Sequence, residues 1–199
     1  MTRRFDAIII GAGQAGPSLA GRLTGAGWSV ALIERKLFGG TCVNTGCMPT
    51  KALVASAYAA HLTRRGADFG VVVPGEVTID PKALKTRQRK VADTARGNVE
   101  RWLKGMAGCT VIEGHARFVA SHEVEVDGER LAAAHMFINV GGRAAVPDLP
   151  GIGDVPYLTN SSLFQLDRIP RHLVVIGGSY MGLEFAQMYR RCIAASGRR

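Results

Sequence analysis

The chain has 199 residues with 47% hydrophobic composition, enough to bury one α/β domain and the start of another. Its 25 Lys+Arg against 16 Asp+Glu give a net charge of +9, but the cations are scattered and the run from Lys82 to Lys104 has no interleaved aromatic until Trp102, which argues against a nucleic-acid partner. Four cysteines are too few for a secreted disulfide scaffold, and no stretch reaches the ~18 apolar residues of a membrane span or the apolar core of a signal peptide, so no membrane partner and a cytoplasmic location are expected.

Residues 7–10 form a short apolar run without alternation, as in a parallel strand covered on both faces. Helical spacing of Leu19, Ala20, Leu23 and Ala26 follows from about residue 13, and Gly25 and Gly27 end it. Residues 29–33 then make a second buried strand ending at Glu34, completing a βαβ unit. A glycine-rich loop is expected over 36–48, and Pro49 opens an alanine-rich helix to about residue 65. A long polar helix spans 81–104. Short strands are read at 109–113, 116–119, 123–126 and 130–132, with Asp127 and Gly128 as a hairpin turn, and a further buried strand at 135–140. Residues 147–170, rich in proline and turn formers, read as a linker. A second strand-glycine-helix unit follows, with its strand at 172–176 and its helix to about residue 190.

Chemistry concentrates at three places. In GAGQAG, residues 11–16, Gly11 makes the tight turn after the strand, Gly13 lets a pyrophosphate approach the helix N-terminus, and Gly16 lets helix and strand pack closely. Glu34 at the end of the next strand is placed to accept from a ribose hydroxyl, and its charge disfavours a 2′-phosphate, pointing to FAD or NAD. Cys42 and Cys47 have four residues between them, which excludes the spacing of thioredoxin-like sites and most zinc hooks, and no second Cys or His cluster completes a metal site. The pair precedes a helix start, where the dipole favours thiolate, and Lys51 lies one turn on. Lys51 is read either as a partner of an anionic thiolate or reduced flavin, or as a solvated side chain. The third place is GGSYMGLE, residues 177–184.

The segment GGTCVNTGCMPTK at 39–51, shortly after a dinucleotide fingerprint, resembles the class I pyridine nucleotide-disulfide oxidoreductases, the family of lipoamide dehydrogenase, glutathione reductase and mercuric reductase, and is most similar to the mercuric reductase-like branch. The resemblance covers about residues 5–190. It implies a Rossmann-like FAD-binding domain with an inserted β-meander over 1–150, a linker over 151–170 and the beginning of an NAD(P)-binding domain over 171–199.

Under this resemblance Gly11, Gly13, Ala15, Gly16, Glu34, Gly40 and Thr41 hold the adenosine and pyrophosphate of FAD. Cys47 is the thiol in charge-transfer contact with the flavin, Cys42 the interchange thiol that attacks substrate, and Lys51 pairs with Glu184 beside the flavin. Gly114, His115 and Ala116 contact the adenine, with His115 equally readable as a solvent-facing strand-edge residue, and residues 139–143, including Gly141, Gly142 and Arg143, form the second FAD segment. Gly177, Tyr180, Gly182 and Glu184 mark the NAD(P)H site, Tyr180 as its gate. Ser179 stands where the middle glycine belongs, and its side chain would crowd a pyrophosphate.

The implied activity is transfer of electrons from nicotinamide through FAD to the Cys42–Cys47 disulfide and on to a small-molecule disulfide or a metal ion. Family members are homodimers, and no residue here matches the His-Glu pair of their interface domain. The chain is therefore expected to be an N-terminal portion of such an enzyme, with an incomplete NAD(P)H site. Two further readings are an FAD-binding module without turnover and a thiol-based metal-binding fragment.

Overall fold

A computed structural model describes residues 1–194. The chain divides into two compact units, one of residues 1–44 and 93–155, the other of 45–92 and 156 onward. The expectations for 195–199 lie outside the described residues.

The first unit is built on a six-stranded sheet of β1 (Arg3–Ile10), β2 (Val30–Glu34), β3 (Cys109–Glu113), β4 (Arg117–Ala120), β5 (Glu123–Val126) and β6 (Glu129–Ile138), in the order β3-β2-β1-β6-β5-β4. β3, β2, β1 and β6 run parallel, whereas β5 and β4 are antiparallel additions, the inserted meander. Strand alternation sends Ala7, Ile9, Val30 and Leu32 to one face, where α1 (Ala15–Gly25) and Leu103 cover them. Ile8, Ala31 and Ile33 go to the other face, against Val124, Val126 and Leu131. Both faces are covered, which is why the central strands carry no polar alternation. At the β5–β6 hairpin Asp127 has φ 49° and Gly128 φ 86°, the paired positive values of a type I′ turn.

Four expectations are corrected. The strands read at 130–132 and 135–140 are one strand, β6, because Leu131 and Ala132 are paired on both edges, to Arg3 and Arg4 on one side and to Val124 and Glu123 on the other. Ladder bonds on two sides override the low strand propensity of its alanines. The loop expected over 36–48 contains α2 (Gly40–Thr45), entered through Gly39 and Gly40 at φ 88° and 59°. α3 (Cys47–Arg64) begins two residues before Pro49, since a proline in a first turn forfeits no intrahelical bond. Thr50 N–H closes that turn on the Gly46 carbonyl at 3.0 Å. Finally, residues 172–176 carry no ladder among the described residues, and a strand exists only through a neighbour's hydrogen bonds.

The second unit packs α3 against α6 (Tyr180–Ala194) and the short α5 (Asn160–Leu163). α6 turns Met181, Phe185, Met188, Tyr189 and Cys192 inward at helical spacing, and α3 answers with Leu53 and Ala57. The first half of α4 (Pro81–Lys104) belongs here, its Arg87 donating to Ser56 Oγ at 3.1 Å and its Lys85 to the Leu166 carbonyl at 3.2 Å.

Candidate functional site

In the first unit the predicted cofactor residues converge on the carboxyl ends of the parallel strands, where ligands of such sheets sit. Gly11 leaves β1 with φ 110°, its N–H donating to the Ile33 carbonyl at 2.8 Å, and a Cβ there would meet Asn139 O at 2.3 Å. A Cβ at Gly16 would meet Gly11 O at 2.1 Å, so α1 and β1 touch backbone to backbone. At Gly13 a Cβ would meet nothing within 4 Å, so the missing side chain leaves open space beside the start of α1, where Ala15 is exposed.

Glu34 has a structural role that its spacing did not suggest. Its carboxylate accepts from Ala12 N–H at 2.9 Å and from Lys36 N–H at 2.8 Å, pinning the glycine turn to the end of β2. The following loop is tied to the same turn. Gly39 N–H donates to the Ala12 carbonyl at 2.8 Å, Gln14 Nε2 to the Gly39 carbonyl at 3.3 Å, and a Cβ on Gly40 would lie 2.8 Å from Gly13 Cα. Thr41 is exposed at the start of α2, and Cys42 is half-buried.

Gly114 follows β3, its N–H donating to the Glu34 carbonyl at 2.9 Å, and a Cβ would strike Val126 at 2.3 Å. His115 is exposed, its Nδ1 3.4 Å from Arg35 Nη1, and Ala116 is half-buried. After β6, Asn139 N–H donates to the Ile10 carbonyl at 2.8 Å while its buried Nδ2 has no hydrogen-bond partner. Gly141, Gly142 and Arg143 then run exposed. A space left by a glycine, a helix N-terminus and an orphaned amide donor fit the phosphates and polar edges of a dinucleotide.

In the second unit Cys47 is an exposed free thiol at the first position of α3. Lys51, one turn later, forms an ion pair with Glu184 on α6. The second glycine turn repeats the geometry of the first: Gly177 has φ 114°, and a Cβ at Gly182 would lie 2.5 Å from Gly177 O. Ser179 and Tyr180 are exposed. Both motif cysteines thus lie on helices, Cys42 inside α2 and Cys47 opening α3, instead of in a loop ahead of a helix. The other two cysteines differ in kind, since burial pushes the Cys109 thiol up and the Cys192 thiol up to about 11. Among the described residues no group of three or more His, Cys, Asp or Glu is arranged to hold a metal ion.

Sequence reasoning missed Asn44 and Arg96. Asn44 Nδ2 donates to the Phe38 and Gly40 carbonyls, each at 2.9 Å, and Arg96 Nη1 donates to Asn44 Oδ1 at 3.4 Å. Asn44 was visible only as a spacer between the cysteines. Arg96, one cation of many on a polar helix, carried no signal.

A glycine turn of this kind at the carboxyl end of a parallel sheet marks a Rossmann-like α/β fold, and here it is followed by Cys42 within α2 and Cys47 at the start of α3. Residues 5–196 match the family described as pyridine nucleotide-disulphide oxidoreductase, and the chain belongs to this family of enzymes. A mercuric reductase of Bacillus cereus is 34% identical over 185 residues, covering 93% of this chain and 29% of the relative. A dihydrolipoyl dehydrogenase of Acholeplasma laidlawii is 32% identical over 193 residues, covering 95% and 57%. Among solved structures, the HOCl-induced flavoprotein disulfide reductase RclA from Escherichia coli superposes with a TM-score of 0.79 at 36% identity, covering 94% of this chain and 40% of that one. The chain thus spans between 29% and 57% of the length of these relatives.

Proposed function

We propose that the chain binds FAD and forms the electron-accepting part of an NAD(P)H-dependent reductase acting on a small-molecule disulfide or a metal ion, with Cys42 and Cys47 as its redox pair. The observation that carries the reading is the first glycine turn, where a Cβ at Gly13 meets nothing within 4 Å while Glu34 holds the turn rigid. Gly11, Gly13, Ala15, Gly16, Glu34, Gly40 and Thr41 hold the adenosine diphosphate portion, with Gly114 to Ala116 and Gly141 to Arg143 along its flanks. FAD, when bound, supplies two-electron chemistry between nicotinamide and disulfide.

The residues' own chemistry is thiol exchange. The Cys42 thiolate attacks one sulfur of the substrate disulfide, forming a mixed disulfide and releasing one thiolate, which takes a proton from water. The Cys47 thiolate then attacks Cys42 Sγ and releases the second. The substrate is reduced by two electrons, and the cysteines are left as a disulfide. Lys51, oriented by Glu184, supplies positive charge beside this chemistry, and Gly177, Tyr180 and Gly182 belong to the nicotinamide side.

On this reading residues 1–150 are the FAD domain, 151–170 a linker and 171–199 the start of the nicotinamide nucleotide domain. On the same reading the protein works in the cytoplasm without nucleic-acid or membrane partners, and the homodimer belongs to the full-length members of the family. No helix among the described residues is long and apolar enough to cross a membrane. The test is FAD fluorescence quenching with the purified chain, followed by thiol counting before and after anaerobic reduction. Saturable quenching and two additional thiols, lost in Cys42→Ser, are expected. Absence of quenching overturns the cofactor reading, and an unchanged thiol count overturns the pair.

A further inference from the structure

α2 has six residues, too few to hold itself together, and no acidic residue in its first turn nor basic residue in its last. Its placement must come from tertiary contacts, and two adjacent side chains provide them. Val43 is buried against Gly39, where a Cβ would lie 2.5 Å from the valine side chain. Asn44 supplies the polar contacts. Both Nδ2 hydrogens are used, one on the Phe38 carbonyl and one on the Gly40 carbonyl at 2.9 Å, while Oδ1 accepts from Arg96 Nη1 at 3.4 Å. Arg96 is itself oriented by Asp93, whose Oδ1 accepts from Nη2 at 2.8 Å.

The residues that Asn44 grips are those that touch the glycine turn. Gly39, between its two carbonyl acceptors, is bonded to Ala12 and Gln14, and Gly40 packs on Gly13. A continuous set of contacts therefore runs from Arg96 on α4 through Asn44 to the loop at 38–40 and into the turn at 11–13, with Cys42 on the helix that Asn44 fixes. We infer that Asn44 is a positioning residue, which holds the Cys42 thiol in fixed register with the nucleotide cradle and is braced by Arg96. The inference rests on the roles proposed above for Cys42 and the cradle. Only a carboxamide meets the requirement, because two donors and one acceptor must leave a single short side chain. Aspartate has Oδ1 for Arg96 but would turn a second acceptor toward two carbonyl oxygens.

The experiment compares wild type, Asn44→Ala, Asn44→Asp and Arg96→Gln. In cofactor-free protein, iodoacetamide alkylation rates of Cys42 and Cys47 are measured separately by peptide mass spectrometry; FAD affinity is measured in parallel by fluorescence quenching. Asn44→Ala and Asn44→Asp are expected to raise the Cys42 rate at least about fivefold with Cys47 within about twofold, and to weaken FAD about tenfold, the loss of a few hydrogen bonds. Arg96→Gln should move both readouts in the same direction by less. A Cys42-to-Cys47 rate ratio within twofold of wild type in the Asn44 variants overturns the inference, whatever their melting points, as does full rescue by Asn44→Asp. If the Asn44 variants fail to fold, Arg96→Gln, at a half-buried side chain, decides: a Cys42-to-Cys47 ratio unchanged from wild type overturns the inference. Failure of wild type to bind FAD would count against the proposed cofactor alone, because the alkylation ratio is read without it.

Discussion

At Gly16 and Gly13 the same substitution has opposite consequences, because their virtual Cβ atoms meet different surroundings. An alanine at 16 would sit 2.1 Å from the Gly11 carbonyl oxygen, which is backbone and cannot swing away, so α1 must part from β1. Gly16→Ala is expected to cost about 2–3 kcal/mol, the upper part of the overpacking range, read as a lower urea midpoint. At Gly13 nothing lies within 4 Å, so Gly13→Ala should leave stability within about 1 kcal/mol while filling the space proposed for a pyrophosphate. FAD affinity should then fall at least about tenfold at nearly unchanged midpoint, and equal affinity in wild type and Gly13→Ala would remove the cradle from that role. Lys51 and Glu184 give a different case. The lysine side chain is 62% exposed, so the pair contributes under about 1 kcal/mol to folding. Glu184→Gln should barely move the urea midpoint, and any larger consequence should appear in the spectrum of bound flavin.

Among the elements, α6 carries the clearest pH dependence. Its Cys192 is buried at the α3 contact, and burial, opposed in part by the Arg64 guanidinium, pushes the thiol up to about 11 from 9.0. Burial likewise pushes Tyr189 up to about 12. Both groups are acids whose folded form holds its proton more tightly than the unfolded form. The thiol's contribution is complete below pH 9 and is lost as pH rises toward 11, about 3 kcal/mol at most, and the tyrosine's is complete below pH 10 and is lost as pH rises toward 12. Urea titrations at successive pH values should show stability falling over that window, with a shallower slope in Cys192→Ala irrespective of its absolute stability. An equal slope would place the alkaline loss elsewhere. Elements whose signal is local were legible in the sequence: the 24 residues of α4 beginning at Pro81, the unbroken apolar run of β2, and the Asp127–Gly128 turn. α2 was hidden because two glycines at positive φ ahead of a short segment read as loop. The continuity of β6 and the missing ladder at 172–176 depend on partner strands that no local window contains. In the candidate site, the glycines and Glu34 announced themselves by spacing, whereas the Asn44–Arg96 contact joins residues 52 positions apart.

For the molecule as a whole, two surface properties oppose each other. A net charge of +9 makes copies repel, while large apolar side chains stand in solvent, among them Val72 at 90%, Val174 at 73% and Ile176 at 63% exposure. The two effects differ in range. The charge acts over a Debye length, about 10 Å at 0.1 M salt and about 3 Å at 1 M, whereas apolar burial acts at contact and is not screened. Raising NaCl from 0.05 to 1 M should therefore increase self-association, seen by light scattering as a mass that grows with salt and protein concentration. The backbone at 172–176, which pairs with no strand among the described residues, is of the kind that recruits a second strand, so this segment should dominate the effect. Val174→Lys together with Ile176→Lys adds charge and removes apolar surface at the same place, and should suppress the salt-driven growth more than the same pair of changes at Val71 and Val72. Dispersal of copies by salt would have the opposite sign and would mean that ion pairs hold them together, with the exposed valines and isoleucine playing no part.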